Sequence, residues 1–362
     1  MFPSTEAEAK STPTNQLIAI NYNEAEQQFI KLLEMEDLDK NLGRQPEIVS
    51  DVETAIATAL KDAYEGTPGS NEAHRFLQRV LYRINRLKLF WYDDLRRYTN
   101  EHSPYLQTLR EHIESAWQQW ELAQLDVEAF QGLDVKQALL DRVAADLNPA
   151  PSVDSLFFRD QVTEAGYRRL VAIGSLDGLV EASQLSRTLG GVGNEVHSVL
   201  TRLLVEEYGG GRLARKHSSY FTTMLVELEM QTEPEAYLDL VPWELLATIN
   251  HSFLLTERKR YFLRYIGGLL YGELSVPAGF SSYRAAAERL GLSPAATAYW
   301  DLHIKVDELH GRWMLDDVAL PLAAQYPADA WELVLGYDQQ WLMSARAGAA
   351  VARSVREAEQ AG

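Results

Sequence analysis

The chain has 362 residues and a formal net charge of −18; 46% of it is hydrophobic, 10% aromatic, and none of it cysteine. That is enough apolar material for one large core or two smaller ones, and the acidity argues against nucleic acid or an anionic membrane surface as a partner. Without cysteine there is no disulfide, thiolate catalyst, iron–sulfur cluster or zinc ribbon, so any metal has to be held by His, Asp and Glu. The opening MFPSTEAEAKSTPTNQ carries acidic residues and no apolar core, unlike a secretory signal. No apolar run reaches membrane-spanning length. A cytoplasmic location is expected.

In chain order, residues 1–16 read as a disordered leader rich in Ser, Thr, Pro and Glu. Residues 17–150 follow as an N-terminal helical region. EAEQQFIKLLEMEDL and PEIVSDVETAIATALKDAYEG place apolar residues at three- and four-residue steps. GTPGSNEA (66–73) predicts a turn, with Ser70 or Asn71 capping what comes next. HRFLQRVLYRINRLKLFWYDDLRRYT predicts one long helix, and SPYLQTLREHIESAWQQWELAQL its partner. LNPAPSVDS (147–155), with two prolines and no periodicity, predicts the boundary to a second domain, 151–362.

That domain continues in helices. GSLDGLVEASQLSRTLGGVG is expected to close at Gly190 and Gly191, and NEVHSVLTRLLVEEYGGG to be capped by Asn194 and broken by Gly209, Gly210 and Gly211. RLARKHSSYFTTMLVELEM resumes at once. VPWELLATINHSFLLTER, KRYFLRYIGGLLYGEL, the short SSYRAAAERLGL, the long SPAATAYWDLHIKVDELHGRWMLDDVALPLAAQ and a terminal helix from PADAWEL complete the series. No alternating strand pattern and no solenoid repeat is found, so the fold class is all-α.

Chemistry concentrates in DLHIKVDELHGRW (301–313). Steps of four and seven residues return to nearly the same direction on a helix, so His303, Asp307 and His310 leave one face together. Two imidazoles and a carboxylate suit iron, manganese or zinc. The paired Glu-x-x-His motifs of ferritin-like bundles are absent. Other candidates stand out by context. Glu273 is acidic in an otherwise apolar, glycine-rich helix, where a lone carboxylate is costly unless paired or metal-bound. Glu181 follows Leu179 and Val180, and Glu207, with Glu206 as its competitor, and His217 flank the YGGG break. Glu101, His102, Glu111 and His112 form a second acidic–imidazole cluster, read as surface. Gly267 and Gly268 are read as close helix packing, and ERKR (257–260) as a solvated face.

The order Glu181, Glu207, His217, Glu273 and then His303-x-x-x-Asp307-x-x-His310 resembles the haem-oxygenase-like di-iron oxidases and oxygenases, over residues 165–345. EEYGGGRLARKH resembles that family's glutamate-to-histidine segment, and HIKVDELH its H-x3-D-x2-H helix. The resemblance implies a bundle of about seven helices holding two irons, with Glu181, Glu207, His217, Glu273, His303, Asp307 and His310 as ligands, O2 as co-substrate and an external reductant. A carboxylate at Glu207 is similar to the N-oxygenating members, which include an N-nitrosourea-forming and a nitroimidazole-forming enzyme. The implied activity is oxidation of a small-molecule amine, such as 2-aminoimidazole or a lysine-like amine, to a hydroxylamine, nitroso or nitro product in natural-product biosynthesis. The chain stops soon after the bundle, without the cupin domain of the nitrosourea-forming type, so the N–N rearrangement step is expected to be absent. Residues 20–145 resemble in kind that type's helical dimerisation region, implying a homodimer. Tyr208, Tyr271, Trp300 and Arg312 neighbour the ligands and are the expected pocket lining. Two alternatives stay open: a di-iron oxidase acting on carbon, and a helical interaction protein whose metal site is degenerate.

Overall fold

The computed structural model describes residues 20–65, 71–91, 94–191 and 193–361. The expected leader (1–16) and most of the turn at 66–73, Ser70 included, lie outside the described residues. The described residues form helices and turns, with no strand among them.

In the N-terminal region, α1 (Tyr22–Leu33), α2 (Pro46–Tyr64), α3 (Asn71–Asn85) and α4 (Pro104–Leu122) pack together. Their starts follow local chemistry. The Asn21 side chain accepts from the Glu24 N–H, and Ser103 accepts from Leu106 ahead of a proline in the first turn. The helix expected over 74–99 stops at Asn85. Leu89 turns to extended backbone, and only short 3-10 turns at Arg86–Lys88 and Leu95–Tyr98 follow. A buried carboxylate fixes α1 to α3: Glu26 takes both Arg79 and Arg83, each at 2.7 Å.

After α5 (Val135–Asp146) and α6 (Val153–Asp160) come the helices that frame the site: α7 (Glu164–Gly178), α8 (Glu195–Glu207), α9 (His217–Glu227), α10 (Trp243–Glu257), α11 (Phe262–Arg289) and α12 (Pro294–Trp313). A π-helical turn, Met314–Ala319, joins α12 to α13 (Leu320–Gln325), and α14 (Trp331–Ala361) closes the fold. α11 lies between α12 and α14. Its approach to α14 depends on two glycines: a Cβ on Gly267 would run into the Leu333 carbonyl, and one on Gly336 into that of Arg264. Gly268 has only ordinary contacts.

Three expected boundaries differ. The helix predicted through residue 189 ends at Gly178, because Glu181 and Ala182 have φ of 33° and 55°, left-handed backbone that no α-helix continues through. The segment after YGGG forms a 3-10 turn, Leu213–Arg215, before α9 starts at His217. The two helices predicted on either side of Pro277, KRYFLRYIGGLLYGEL and the short SSYRAAAERLGL, are one, because α11 is held on both sides by α12 and α14 and runs through the proline. Pro277 still removes the N–H that would bond the Glu273 carbonyl.

One apolar cluster joins residues of α1–α5 to residues of α8, α10, α11 and α14, so the core runs across residue 150. A buried amide chain links the two regions: Asn250 on α10 donates to the Gln78 carbonyl at 2.8 Å and accepts from Asn85 at 3.0 Å. A second cluster, rich in Phe, Tyr and Trp, sits between α7, α9, α12 and α14. No helix of the described residues is long and apolar enough to cross a membrane.

Candidate metal centre

Each side chain of the centre arrives for a local reason. The left-handed turn after α7 carries Glu181; a non-glycine residue there stores strain that the surroundings must hold in place. α8, capped by Asn194 through the His197 N–H at 3.2 Å, delivers Glu207 at its last residue. The chain then reverses through Gly209, Gly210 and Gly211, all with positive φ; a Cβ on Gly209 would collide with the Arg215 backbone. That tight reversal brings His217, the first residue of α9, back against Glu207: Nδ1 lies 2.7 Å from Glu207 Oε2. α12, capped by Ser293, presents His303, Asp307 and His310 along one face, and α11 supplies Glu273 beside His310.

Two ligand groups result. Glu181, Glu207, His217 and His303 bring one donor atom each within 4.8 Å of one another, and so do Glu207, Asp307 and His310. Glu207 belongs to both. In the first group His303 Nε2 stands 2.8 Å from Glu181 Oε1 and 3.3 Å from His217 Nδ1. In the second, His310 Nδ1 faces Glu273 at 3.3 Å, Glu207 at 3.5 Å and Asp307 at 3.8 Å. All seven residues named from the sequence therefore meet in one place. Glu206, its competitor there, contacts the other ring nitrogen of His310, Nε2, at 3.2 Å.

The outer bonds set each ring. His303 Nδ1 donates to the Tyr299 carbonyl at 2.8 Å, which leaves Nε2 for the centre. His310 donates through Nε2 to Glu206, which leaves Nδ1. Carboxylate or carbonyl partners on the far nitrogen are the usual means of orienting a metal-binding imidazole. The Tyr299 hydroxyl also donates to Glu181 Oε1 at 2.9 Å.

The electrostatics are those of a charge set awaiting cations. Burial works against charge on His303, but Glu181 and Asp307 raise it to about 10; His310, also opposed by burial, is raised to about 9 by Glu273 and Glu207. Burial, and then Glu273, push Asp307 up to about 8. Burial also raises Glu207, against the pull of His217. Protons thus hold together a set of like charges that divalent metal would hold better. Within the ligand groups, Glu181 Oε2 and His310 Nδ1 are buried and make no hydrogen bond. Hard carboxylate oxygens with imidazole nitrogens and no thiolate fit iron.

A cavity of about 300 Å³ opens on the centre, lined by Glu181, Glu207, Glu273, His303 and Asp307 and by groups from α7, α10 and α14. The four residues expected to line it do not. Tyr208 bonds Ser183 at 3.2 Å and faces a separate surface hollow. Tyr271 turns to Tyr337 on α14. Trp300 is buried in the aromatic cluster with its N–H on Tyr167 at 2.8 Å. Arg312 is exposed. Residue 312 lies off the 303/307/310 face, and Trp300, one turn before His303, is drawn into the aromatic cluster by Tyr167. The lining residues that sequence reading missed are Asp177, one turn before Glu181, and His251, the latter in a helix with no ligand motif to mark it. His102, Glu111 and His112 are exposed and Glu101 half-buried, as a surface cluster should be.

Residues 168–344 match a family model of the haem-oxygenase-like type described as iron-containing redox enzyme. Nitrosourea synthase of Streptomyces achromogenes subsp. streptozoticus is 25% identical over 279 residues, which cover 72% of this chain and 58% of that protein. The chain thus spans less than two thirds of that relative's length.

Proposed function

We propose, from the match of residues 168–344 to the haem-oxygenase-like iron-containing redox enzymes, that the chain is an O2-dependent non-haem di-iron oxygenase acting on nitrogen. Its substrate would be a small amine, of the 2-aminoimidazole or lysine-like kind, carried to a hydroxylamine, nitroso or nitro product. The observation that carries this reading is Glu207: it stands in both ligand groups, and it is the position at which the sequence resembles the N-oxygenating members. The likeness to nitrosourea synthase supports the same direction.

Glu181, His217 and His303 would hold one iron, Asp307, His310 and Glu273 the other, and Glu207 would stand between them. Bound there, two irons would supply the reduction of O2, with electrons from an external donor. The chain's own work is to set the lone pairs. Tyr299 and Glu206 keep the far nitrogens of His303 and His310 protonated, so that Nε2 of one ring and Nδ1 of the other face inward. The buried, like-charged carboxylates are kept in reach by the strained turn at Glu181 and the glycine reversal before His217. The cavity brings the amine to the centre and limits water around it.

The test is to load the protein with Fe(II) anaerobically, count the iron, then supply O2, a reductant and a panel of amines and read products by mass. Oxygenated nitrogen in the product sustains the proposal. Iron binding with products oxidised only at carbon would replace it with a carbon oxygenase. The homodimer through the N-terminal helices belongs to the same reading, and light scattering at graded concentrations tests it.

A further inference from the structure

The proposed reading leaves the substrate class open between an amino acid and a simple base. The cavity wall bears on it. No lysine or arginine lines the cavity among the described residues. A substrate carboxylate inside it would lie unpaired beside the centre's own carboxylates, an arrangement that desolvation and like-charge repulsion both oppose.

Asp177 offers the opposite. It lines the cavity but is in neither ligand group. Its side chain is exposed, open to a molecule entering the cavity. Among the described residues no hydrogen bond or ion pair holds its carboxylate. The charge count isolates it further. Glu181, Glu207, Glu273 and Asp307 are four carboxylates, which two divalent ions would neutralise, and Asp177 remains. A second group lines the same cavity from α10. His251 is 1% exposed and neither ring nitrogen makes a hydrogen bond. Gln339 and Gln340 stand near it without reaching bonding geometry. Burial, helped by the charge of Arg264, lowers it to about 3, so its ring is neutral and offers one donor and one acceptor.

We propose that the cavity takes a small organic cation without a carboxylate, an amine or amidine, whose charge is received by Asp177 and whose remaining N–H group is read by His251. The inference rests on the di-iron N-oxygenase reading and separates its two candidate substrates: the carboxylate-free base fits and the amino acid does not.

The experiment uses the full chain loaded anaerobically with Fe(II), where no turnover occurs, with iron content measured on the same sample. Calorimetry compares two matched pairs, cadaverine with lysine and agmatine with arginine, which differ only in the carboxylate. The expected result is that at least one amine binds about tenfold or more tighter than its amino acid, and that Asp177→Asn removes that binding with iron content unchanged. His251→Leu should weaken the amine by a smaller factor, and His251→Gln should restore part of it. The proposal is overturned if the amino acids bind as tightly as the amines, if neither amine binds, or if Asp177→Asn binds the amine like the parent. Loss of iron in Asp177→Asn would also overturn it, by making Asp177 part of the metal centre. Any of these results with full iron occupancy leaves the di-iron reading standing, whereas failure of the parent protein to take up iron removes that reading itself.

Discussion

Glu207 Oε2 lies 2.7 Å from His217 Nδ1, across a chain reversal that only glycine accommodates. The contact is more than an ion pair, because the other oxygen of the same carboxylate faces His310 at 3.5 Å. One side chain therefore connects two groups of potential ligands, and its removal should separate stability from metal binding.

Glu207→Gln keeps the shape and removes a buried charge that stands near Glu273 and Glu181. In the metal-free protein this substitution takes one partner from the buried pair with His217 and should destabilise by about 3 kcal/mol. With metal the loss is larger, because both ligand groups also lose a donor, and iron content should fall at both positions. Thermal unfolding with and without Fe(II), alongside metal analysis, reads the two contributions. Glu181→Gln, by contrast, touches one group only.

The pH dependence follows from His303, raised to about 10, His310, raised to about 9, and Asp307, raised to about 8. All three hold protons in the folded metal-free state at pH values where the unfolded chain has released them. Each stabilising contribution is complete below the unfolded value and is lost as pH rises through the folded value. The metal-free protein should therefore lose stability from about pH 4, where Asp307 begins to contribute, to about pH 10, with the two histidines adding to the loss above about 6.5. Metal competes for the same protons, so its affinity should rise over that window. The gap between the melting temperatures of loaded and metal-free protein should widen with pH. A gap that is constant or narrows would contradict the assignment of these groups.

Gly267→Ala should be among the most damaging single changes outside the centre. The added Cβ meets the Leu333 carbonyl, backbone that cannot swing aside, so α11 and α14 must separate, at a cost of about 3 kcal/mol or more. Gly279→Ala lies on the same helix with nothing within 4 Å of its Cβ, and should stabilise by about 0.5–1 kcal/mol through helix propensity. Urea unfolding of the two variants gives opposite shifts if the helix contact is as described.

Asn250→Leu should loosen the N-terminal region from the metal-binding helices. It strands the Gln78 side-chain oxygen and the Asn85 amide in a site with no exposure, for roughly 1–3 kcal/mol per unsatisfied group. Protection of amides in α3 against hydrogen exchange should fall more than that in α12.

The helical class and most helix starts were legible because they are local: an Asn or Ser cap, a proline in the first turn, apolar residues at helical steps. The face shared by His303, Asp307 and His310 was legible for the same reason. What could not be read were features decided by tertiary contact. Left-handed backbone at Glu181 and Ala182, neither of them glycine, keeps the helix that stops at Gly178 from continuing. Pro277, a strong local stop, is overridden by packing on both sides of α11. Tyr208, Tyr271, Trp300 and Arg312 do not line the pocket because nearness in sequence to a ligand does not decide where a side chain packs: Trp300 shares the ligand face yet turns to Tyr167. Asp177 and His251 escaped notice because each is remote from any motif and gains meaning only from the cavity that brings it beside the centre.

The decisive measurement is the iron content of the protein after anaerobic Fe(II) loading and removal of loose metal, made on the parent and on Glu207→Ala side by side. Two ligand groups sharing Glu207 predict two irons per chain in the parent and loss at both positions in the variant. One iron or none in the parent, or a variant that retains both, would contradict a di-iron centre built around Glu207.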